Sequence, residues 1–383
     1  MFYQLPPVGN PVLLRGTNQP QPTPESFFSP YQPRFYASGT AALAAAIIAA
    51  TRLKPAQHSE VILPAYSCPD LVSAVVYAGV KPVLVDLEPG RPWMDLAQLQ
   101  NAVNPQTVAV VAVDLFGIPE RLAQLRPVAE KAGTLLIEDS AQAFPGVREE
   151  MSWYGDLVVL SFGRGKPVSL LGGGAVLVRE PAMLEHLPQC NQQQDDGGDA
   201  LFKLKAALYN RMILPWLYWL PQALPFLHLG ETRYHPLSEI GCMDAGRLAL
   251  LPANIADYRN GAMQAQAALT GMLGELDPAS FGVTDLPRVC GVSPDRQLLR
   301  YPLLVDTERR SRLYDELHKR GLGPSLMYPT ALPDIDGLET LLAEQGPFPD
   351  AEAFAAGIIT LPLHRRVTNR DIKRMHKVIL SIE

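Results

Sequence analysis

Runs of Val, Ile and Leu alternate with helix-forming segments between residues 40 and 178. The apolar runs are continuous rather than interrupted at every second position, which is typical of strands that helices cover on both faces. They predict strands over 61–66, 81–87, 107–114, 134–140, 157–162 and 173–178. The segments between them predict helices over 40–52, 69–79, 95–103 and 120–133. The pattern indicates an α/β domain with a mostly parallel sheet, which the last two strands extend as a hairpin-like return.

The later part of the chain alternates again on a smaller scale. It predicts a long helix from Ser238 to about Leu273, strands over 298–306 and 357–362, and helices over 308–321 and 368–382. Residues 1–37 have no clear period and predict an extended arm. At the usual domain size, 383 residues form two or three domains. We therefore expect a large domain of residues 1–237 and a smaller α+β domain of residues 238–383.

An apolar insertion near residues 200–235 follows a polar loop at 191–199. Its segment 207–230 holds two of the four tryptophans and three prolines. Asn210, Arg211 and the prolines interrupt any apolar run long enough to span a bilayer. The composition favours a buried segment that packs on the core or on a dimer partner. A membrane-surface patch and a pocket for a lipid-carried substrate stay open as alternatives.

Composition and charge exclude several classes of protein. Apolar residues make up 47% and charged residues 19%, so the chain is not intrinsically disordered. Lys and Arg total 33 against 39 for Asp and Glu, which argues against nucleic-acid binding. The four cysteines (Cys68, Cys190, Cys242 and Cys290) contain no CxxC pair, so we expect neither a metal site nor a disulfide framework. The first residues lack a signal-peptide pattern, and we expect a cytoplasmic protein.

The segment Ser38-Gly39-Thr40-Ala41 opens the first strongly predicted helix. Free backbone N–H groups at a helix start, with the hydroxyls of Ser38 and Thr40, can bind an anion such as a phosphate. Taken alone, the segment is weak evidence, because Ser or Thr before a helix is usually only an N-cap.

Two further segments carry charged residues directly after predicted strands. Asp139 ends one strand, where a carboxylate can pair with a cationic ring nitrogen, although it could also cap a helix or be solvated. Lys166 lies in a Gly-flanked turn shortly after Ser161; Leu160 and Pro167 stand where a P-loop needs other residues. A lysine in such a turn is a candidate Schiff-base former. Together the three segments fit pyridoxal phosphate (PLP), which needs a phosphate site, a carboxylate for its ring nitrogen and a lysine.

The order of the motifs resembles one family. SGTAA, LPAYSCPDLVSAVVYAGVKPVLVDLEP, DLFG, IEDSAQAF, GDLVVLSFGRGK and GGGAVLV follow one another as in the DegT/DnrJ/EryC1/StrS family. These are PLP-dependent aminotransferases of fold type I that act mostly on nucleotide-linked keto sugars. The resemblance covers residues 34–180 and resumes at 238–240, 328–329 and 361–372. It implies a fold-type-I transferase, with a mostly parallel mixed sheet in the large domain and a smaller C-terminal α+β domain.

The resemblance also implies roles for individual residues. Lys166 would form the Schiff base, and Asp139 would pair with the pyridinium nitrogen. The phosphate would be held by Ser38, by Ser161 and by the amides of Gly39, Thr40 and Ala41. Gln142 would lie near the ring oxygen. Many members stack an aromatic residue on the ring at the position of Cys68, so either Cys68 or neighbouring Tyr66 would contact the ring here.

This chain departs from the family where substrate and partner subunit meet. Tyr234-His235-Pro236-Leu237 stands where many members have Asn-Tyr-Arg-Met, and Met327 stands where many have His. Candidate substrate residues are His235, Tyr328, His364 and Arg365, with Arg366 beside them. The apolar segment 207–230 suggests an acceptor that is bulkier or greasier than an ordinary nucleotide sugar.

The implied function is transfer of an amino group from an amino acid, L-glutamate by resemblance, to a keto acceptor. The implied assembly is a homodimer with shared active sites. One alternative is a non-catalytic or regulatory PLP-binding relative. Another is a different fold-type-I reaction such as desulfuration, for which Cys290 would supply the thiol.

Overall fold

The computed structural model describes residues 3–14, 23–55, 59–150, 152–191, 198–224, 231–261, 263–274 and 281–382. The large sheet comprises β1 (Gln32–Tyr36), β2 (Glu60–Pro64), β3 (Lys81–Val85), β4 (Thr107–Val113), β5 (Leu135–Asp139), β6 (Leu157–Ser161) and β7 (Gly174–Val178). A separate antiparallel sheet comprises β8 (Val283–Asp285), β9 (Arg300–Val305) and β10 (Ile358–Pro362).

Helices connect the strands of both sheets. In the first half of the chain they are α1 (Pro24–Phe27), α2 (Gly39–Leu53), α3 (Asp70–Tyr77), α4 (Leu96–Ala102), α5 (Leu122–Lys131), α6 (Gly198–Met212) and α7 (Trp219–Gln222). In the second half they are α8 (Ala245–Arg259), α9 (Gln264–Leu273), α10 (Leu286–Val289), α11 (Thr307–Lys319), α12 (Pro349–Gly357) and α13 (Asn369–Leu380).

The large sheet has the strand order β1-β7-β6-β5-β4-β2-β3. Strands β2 to β6 are parallel, β7 is antiparallel to β6, and β1 is antiparallel to β7. Strand β1 therefore runs in the same direction as the parallel strands. The carboxyl ends of β1, β4, β5 and β6 consequently meet at one edge of the sheet, which is where open α/β sheets bind their ligands.

Helices cover both faces of this sheet, as the continuous apolar runs predict. In β4, Val111 packs in the same cluster as Ile47 of α2, whereas Val110 packs with Leu99 and Leu122 on the opposite face. Successive residues of a strand point to opposite faces, so a strand that is buried on both sides needs an unbroken apolar run. The predicted α/β class with a mostly parallel mixed sheet is confirmed.

The predicted extended arm at residues 1–37 is wrong for its second half. Residues 24–27 form α1, and residues 32–36 form β1 at the edge of the large sheet. The sequence of β1, QPRFY, has no alternating pattern and contains Pro33, which argues against a central strand. An edge position tolerates both features, because only one side of the strand must pair.

The predicted helix from Ser238 to Leu273 is in fact two helices. The carboxylate of Asp244 accepts a hydrogen bond from the N–H of Arg247 at 2.9 Å, and α8 begins directly after this N-cap. Helix α8 ends at Arg259, before Asn260 and Gly261. The short strand β8 and the helix α12 also escaped sequence reasoning.

Helix α8 packs on the large sheet although it follows the predicted domain boundary at residue 238. Leu251 and Ile255 lie in one buried cluster with Val158 of β6 and Leu177 of β7. The division of the chain at residues 237 and 238 stays a prediction, and this packing associates α8 with the first part.

The expectation of no disulfide is wrong, because Cys190 and Cys242 are bonded with their Cα atoms 4.9 Å apart. The two residues are 52 positions apart, and their spacing carries no motif. Backbone pairing brings them together: the N–H of Cys242 donates to the carbonyl of Asn191 at 2.9 Å. Cys68 and Cys290 are free thiols.

The apolar segment 207–230 is described up to residue 224, and its last six residues lie outside the described part. In α6, Phe202 and Ala206 are buried on the core. Leu204 and Leu208 lie on the opposite side of the helix and are 65% and 61% exposed. Packing therefore accounts for one face of α6 only. Within the described ranges, no helix is both long and apolar enough to cross a membrane.

Candidate active site

A cleft of about 240 Å³ lies where the carboxyl ends of the parallel strands meet. The predicted cofactor residues that line it are Ser38, Gly39, Thr40, Cys68, Asp139, Gln142, Ser161 and Lys166. Four separate segments of the sequence thus supply one cavity. They come together because helix α2 follows β1, Asp139 ends β5, and Ser161 ends β6.

The start of α2 forms one wall. The hydroxyl of Ser38 accepts a hydrogen bond from the N–H of Ala41 at 3.0 Å, and the hydroxyl of Thr40 donates to Asp70 at 3.2 Å. Gly39 lies so close to β6 that a Cβ atom there would be 2.7 Å from the hydroxyl oxygen of Ser161. The Ala41 amide is thus engaged by the N-cap. The amides of Gly39 and Thr40 belong to the first turn, which has no intrahelical acceptor for them.

Asp139 forms the second wall and is only 5% exposed. Its Oδ1 accepts a hydrogen bond from the N–H of Ala141 at 3.0 Å. Burial raises the pKa of Asp139 to about 6, and the nearby positive charge of Lys166 partly opposes that rise. A cationic group bound against this carboxylate would favour its ionised form.

A second layer of buried acids lies behind Asp139, and sequence reasoning missed it. The hydroxyl of Ser140 donates to Asp114 at 2.7 Å. One oxygen of Glu138 accepts from the N–H groups of Tyr154 and Gly155 at 2.7 and 2.8 Å. Burial raises the pKa of Glu138 to about 8, and the neighbouring Asp114 adds to the effect. These acids fix the backbone on both sides of Asp139 and do not line the cleft.

Lys166 lies in the turn that follows β6. Its backbone N–H donates to the carbonyl of Gly163 at 3.3 Å, and Gly165 has a φ of +80°, a conformation that favours glycine. Residues of the N-terminal arm press on this turn. A Cβ atom on Gly165 would be 3.2 Å from the Val8 side chain, and the Asn10 amide donates to the carbonyl of Pro167 at 3.1 Å. The arm therefore restrains the segment that presents the lysine.

Cys68 lines the cleft, whereas the neighbouring Tyr66 does not. Tyr66 is fully buried, and its hydroxyl donates to the backbone carbonyl of Tyr328 at 3.1 Å. The expectation that Tyr66 replaces the missing aromatic contact is therefore not met. Burial raises the pKa of Cys68 to about 12, so its thiol stays protonated. The hydroxyl of Tyr328 accepts from the side-chain amide of Gln142 at 3.2 Å, which connects it to the cleft wall.

None of the four predicted substrate residues belongs to the lining of this cleft, and Tyr328 reaches it only through its hydrogen bond to Gln142. His235 is exposed. His364 is buried against the N-terminal arm, with its Nε2 2.9 Å from the carbonyl oxygen of Pro6, and burial lowers its pKa to about 4. Arg365 forms an ion pair with Asp257. Both follow β10, at whose end the chain meets the arm rather than the cleft.

The cleft also contains residues that sequence reasoning did not select. They are Leu43, Asp70, Leu71, Val113, Ala141, Val159, Gly163, Arg164, Gly172 and Gly173. Arg164 shares the turn of Lys166, and Asp70 begins the helix after Cys68, so position next to a selected residue was the available signal. The sequence does not indicate which apolar residues line the cleft, because buried strands contain apolar residues throughout.

A model of the DegT/DnrJ/EryC1/StrS aminotransferase family matches residues 35–200 and 275–380, which is more than half of the chain. This chain belongs to that family. The matched ranges include every predicted cofactor residue, from Ser38 to Lys166.

Several of the matched relatives are named as aminotransferases of nucleotide-linked sugars. The chain is 28% identical over 310 residues to dTDP-3-amino-3,4,6-trideoxy-alpha-D-glucose transaminase of Streptomyces venezuelae, covering 79% of this chain and 71% of the relative. It is 23% identical to dTDP-4-amino-4,6-dideoxy-D-glucose transaminase of Shigella dysenteriae, covering 85% and 80%. A third match, 34% identical, is to a UDP-N-acetyl-3-dehydro-alpha-D-glucosamine 3-aminotransferase of Acidithiobacillus ferrooxidans and spans only 40% of that protein.

Solved structures agree in fold. PseC from Helicobacter pylori, an aminotransferase involved in pseudoaminic acid biosynthesis, superposes with a TM-score of 0.71 at 17% identity and covers 99% of both chains. NtdA from Bacillus subtilis, solved with the cofactor PMP, gives 0.71 at 18% identity over 94% of this chain and 74% of that one. These likenesses confirm the predicted fold type.

As a DegT/DnrJ/EryC1/StrS aminotransferase, the protein is a PLP-dependent enzyme, and the cofactor predicted from the sequence is confirmed. The residues of the cleft fit this group. First-turn amides of α2 and the hydroxyl of Ser161 can hold a phosphate, Asp139 offers a buried carboxylate for the ring nitrogen, and Lys166 offers an amine for the aldehyde. Glycine at position 39 keeps the phosphate wall close to β6.

Proposed function

We propose that this enzyme transfers the amino group of L-glutamate to a keto group on a nucleotide-linked sugar. The observation that carries the proposal is the convergence of Lys166, Asp139 and the start of α2 on one cleft. Lys166 follows β6, Asp139 ends β5, and α2 follows β1. Together they offer the amine, the carboxylate and the phosphate site that PLP needs. Lys166 and Asp139 are the proposed catalytic residues.

PLP, when bound, would supply a ring that accepts electrons from the amino donor. Lys166 would hold the cofactor aldehyde, and its Nζ would move the proton at the donor's α-carbon. Asp139 would accept a hydrogen bond from the ring nitrogen and favour its charged form. Ser161 and the amides of Gly39 and Thr40 would hold the phosphate. The same residues would serve the acceptor in the reverse direction.

The sugar acceptor is supported by the relatives, since the matched transaminases from Streptomyces venezuelae and Shigella dysenteriae are named for dTDP-linked sugars. We propose that the apolar segment 207–230 contributes to the acceptor side. We propose that the natural acceptor is bulkier or more apolar than these sugars. Efficient turnover of simple UDP- or dTDP-linked keto sugars would contradict that part of the proposal.

The test of the amino transfer is a half-reaction. The purified protein loaded with PLP is mixed with L-glutamate, and both the cofactor absorbance and 2-oxoglutarate are followed. We expect the yellow aldehyde form to convert to the amine form with one equivalent of 2-oxoglutarate per site. Release of L-alanine from L-cysteine, with the yellow aldehyde form retained, would instead favour desulfuration. A protein that responds to no amino acid would favour a regulatory relative.

The thiol that desulfuration would need is poorly suited to it. Cys290 is half-buried, and burial raises its pKa to about 12, so little thiolate forms at neutral pH. It does not line the cleft that contains Lys166. This geometry favours amino transfer over the alternative.

A homodimer is part of the proposal. The exposed apolar face of α6, with Leu204 and Leu208, supports a further contact in the assembled protein, and light scattering of the purified protein tests the mass. A cytoplasmic location stays a prediction. The bond between Cys190 and Cys242 is more typical of an oxidising compartment, so alkylation of thiols at the moment of cell lysis tests that prediction.

A further inference from the structure

The exposed side of the C-terminal helix α13 is basic. Arg370, Lys373 and Lys377 follow one another at intervals of three and four residues, so they lie along one side of the helix, and all three are exposed. Among the described residues, none of these side chains has an ion-pair or hydrogen-bond partner. The chain as a whole carries a formal charge of −6, so composition alone does not explain this positive stripe.

Packing determines the direction of the stripe. On the other side of α13, Ile372, Met375 and Ile379 are buried in the core. The only acid of the helix, Asp371, is buried as well, and it accepts hydrogen bonds from the backbone N–H and the hydroxyl of Thr368. The helix is therefore amphipathic, and no acid of its own neutralises the basic side.

Exposed apolar side chains of the segment 207–230 form a second feature. Trp216 is 59% exposed and Leu220 is 39% exposed. Water surrounds much of a large indole ring and of a leucine side chain there, and such exposure is unfavourable unless another apolar surface covers them.

The N-terminal arm joins the two features. The backbone N–H of Gln4 donates to the carbonyl of Pro215, the residue before Trp216, at 2.7 Å. The hydroxyl of the preceding Tyr3 donates to Asp371 of α13 at 3.0 Å, and Tyr3 lines an open groove together with Arg370. Two consecutive residues of the arm thus contact both elements, and the apolar side chains adjoin the positive stripe.

Helix α11 connects the same two elements from another direction. The side chain of Gln222 in α7 hydrogen-bonds to His318 of α11. At the end of α11, the carbonyl of Arg320 accepts a hydrogen bond from Arg374 of α13. Arg374 lines the groove beside Arg370. We call the exposed side chains of Trp216, Leu220, Arg370, Lys373 and Lys377 the basic–apolar surface.

We propose that the basic–apolar surface binds an anionic lipid bilayer and holds the enzyme on the membrane surface. A bilayer offers phosphate groups for the cations and, just below them, an apolar region for the leucine and the tryptophan. Tryptophan is enriched at this boundary in membrane proteins. The proposal does not rest on the amino-transfer reaction.

Other partners fit the surface less well. A nucleic acid would bind the basic residues and leave Trp216 and Leu220 in water. In a two-fold contact between copies of this chain, the same surface faces itself, so two positive stripes would meet. Only a partner that is both anionic and apolar satisfies the two features together.

The test is sedimentation of the PLP-loaded enzyme with lipid vesicles. One set of vesicles is an equal mixture of phosphatidylcholine and phosphatidylglycerol, and the other is phosphatidylcholine alone. The stripe variant carries the substitutions Arg370→Gln, Lys373→Gln and Lys377→Gln. The control variant carries Arg52→Gln, Lys81→Gln and Lys131→Gln.

The control removes the same charge from a different part of the molecule. Arg52, Lys81 and Lys131 are exposed and belong to elements at the amino ends of the parallel strands, and none of them lines the grooves beside α13. A difference between the two variants therefore reports the position of the charges and not the net charge.

We expect the wild type to bind the anionic vesicles and not the neutral ones, with an affinity that falls as salt is added. The stripe variant should bind about 100-fold more weakly, because each basic residue near an anionic surface contributes about a factor of five. The control variant should bind as the wild type does. Both variants should melt at the temperature of the wild type, since exposed side chains contribute little to folding.

A second measurement tests the apolar part. Vesicles with bromine on the acyl chains quench tryptophan fluorescence on contact, and Trp216 is one of four tryptophans. Trp216→Phe keeps an apolar ring, so it should still bind the vesicles but lose most of the quenching.

Three results would overturn the proposal. The first is equal binding of anionic vesicles by the wild type and the stripe variant. The second is binding of the soluble polyanion heparin without any binding of vesicles, which would assign the stripe to a soluble acidic partner. The third is a lower molecular mass of the stripe variant in light scattering, which would assign the surface to a second copy of the chain. Vesicle binding needs no substrate, so failure of the half-reaction would contradict only the proposed function.

Discussion

The two sides of the cleft are built in opposite ways. The motif side consists of Ser38–Thr40, Asp139–Gln142 and Ser161–Lys166, which adjoin neighbouring strands of one sheet. The far side consists of Cys68, which lines the cleft, and of Tyr218, Arg300 and Tyr328, which lie outside its lining and come from distant parts of the chain. Sheet pairing alone aligns the motif side, whereas the far side depends on packing between separate elements.

The two sides also differ in how their polar groups are satisfied. On the motif side, Ser38 accepts from the N–H of Ala41 and Asp139 accepts from the N–H of Ala141, both at 3.0 Å. On the far side, the enclosed donors of Arg300 have no acceptor. The backbone therefore holds the Asp139 carboxylate, whereas the fold offers the enclosed donors of Arg300 no acceptor.

The substitution with the largest expected effect on the difference between the two sides is Lys166→Ala. If the motif side carries the chemistry, turnover should fall by at least about 10³-fold, because the amine that binds the cofactor and moves the proton is gone. Steady-state amino transfer and the absorbance of the PLP-loaded protein measure the effect. Lys203→Ala is the control, since Lys203 is exposed and outside the cleft. Retained turnover would move the chemistry away from this side.

A second test concerns the disulfide that lies next to the motif side. The N–H of Ala37 donates to the carbonyl of Gly241 at 2.8 Å, next to the disulfide of Cys242 with Cys190. Closing a segment of 52 residues restricts the unfolded chain, so replacing both cysteines by serine should lower the free energy of unfolding by about 4 kcal/mol. Urea unfolding measures the loss.

Cys290→Ser is the matched control for the disulfide, because Cys290 is a free thiol. A change of less than about 1 kcal/mol is expected there. If the wild type unfolds at the same urea concentration with and without a reductant, the bond does not contribute as argued.

The motif side could be predicted from sequence because each of its functions is held by a few consecutive residues. Asp139 and Ser161 end apolar strands, and the chain must leave the sheet there. Where parallel strands end together, their last residues lie close in space whatever the loops do. The strand β1, which completes this arrangement, was missed because an edge strand needs no unbroken apolar run.

The far side could not be predicted because its contacts are long-range. Arg300 starts a strand whose partner, β10, lies about 60 residues later, and its relation to Tyr218 depends on the apolar segment. His364 and Arg365, whose role in substrate binding stays a prediction, illustrate the converse case. Their place after a motif suggested substrate binding, yet β10 directs them to the N-terminal arm and to Asp257. The local sequence pattern predicts where a strand ends, but it does not predict which distant part of the chain contacts that end.

The third test measures how much the buried carboxylate of Asp139 lowers the free energy of unfolding. Burial raises the pKa of Asp139 from 3.8 to about 6, so ionised Asp139 destabilises the cofactor-free fold. The cost is fully present above about pH 6 and disappears below about pH 4, because the folded protein holds its proton more tightly than the unfolded chain does. Asp139→Asn should therefore stabilise the cofactor-free protein by about 3 kcal/mol at pH 8 and by about half of that at pH 5.

Urea unfolding of the cofactor-free wild type and variant at both pH values measures the difference, with the exposed Asp315→Asn as control. The same substitution should slow the half-reaction of the loaded enzyme, since an amide cannot keep the ring nitrogen charged. If Asp139→Asn is more stable and less active than the wild type, the Asp139 carboxylate serves the cofactor and destabilises the cofactor-free fold. A variant that is less stable at pH 8 would mean that the chain already compensates the charge of Asp139, and the expected destabilisation of the cofactor-free fold would be absent.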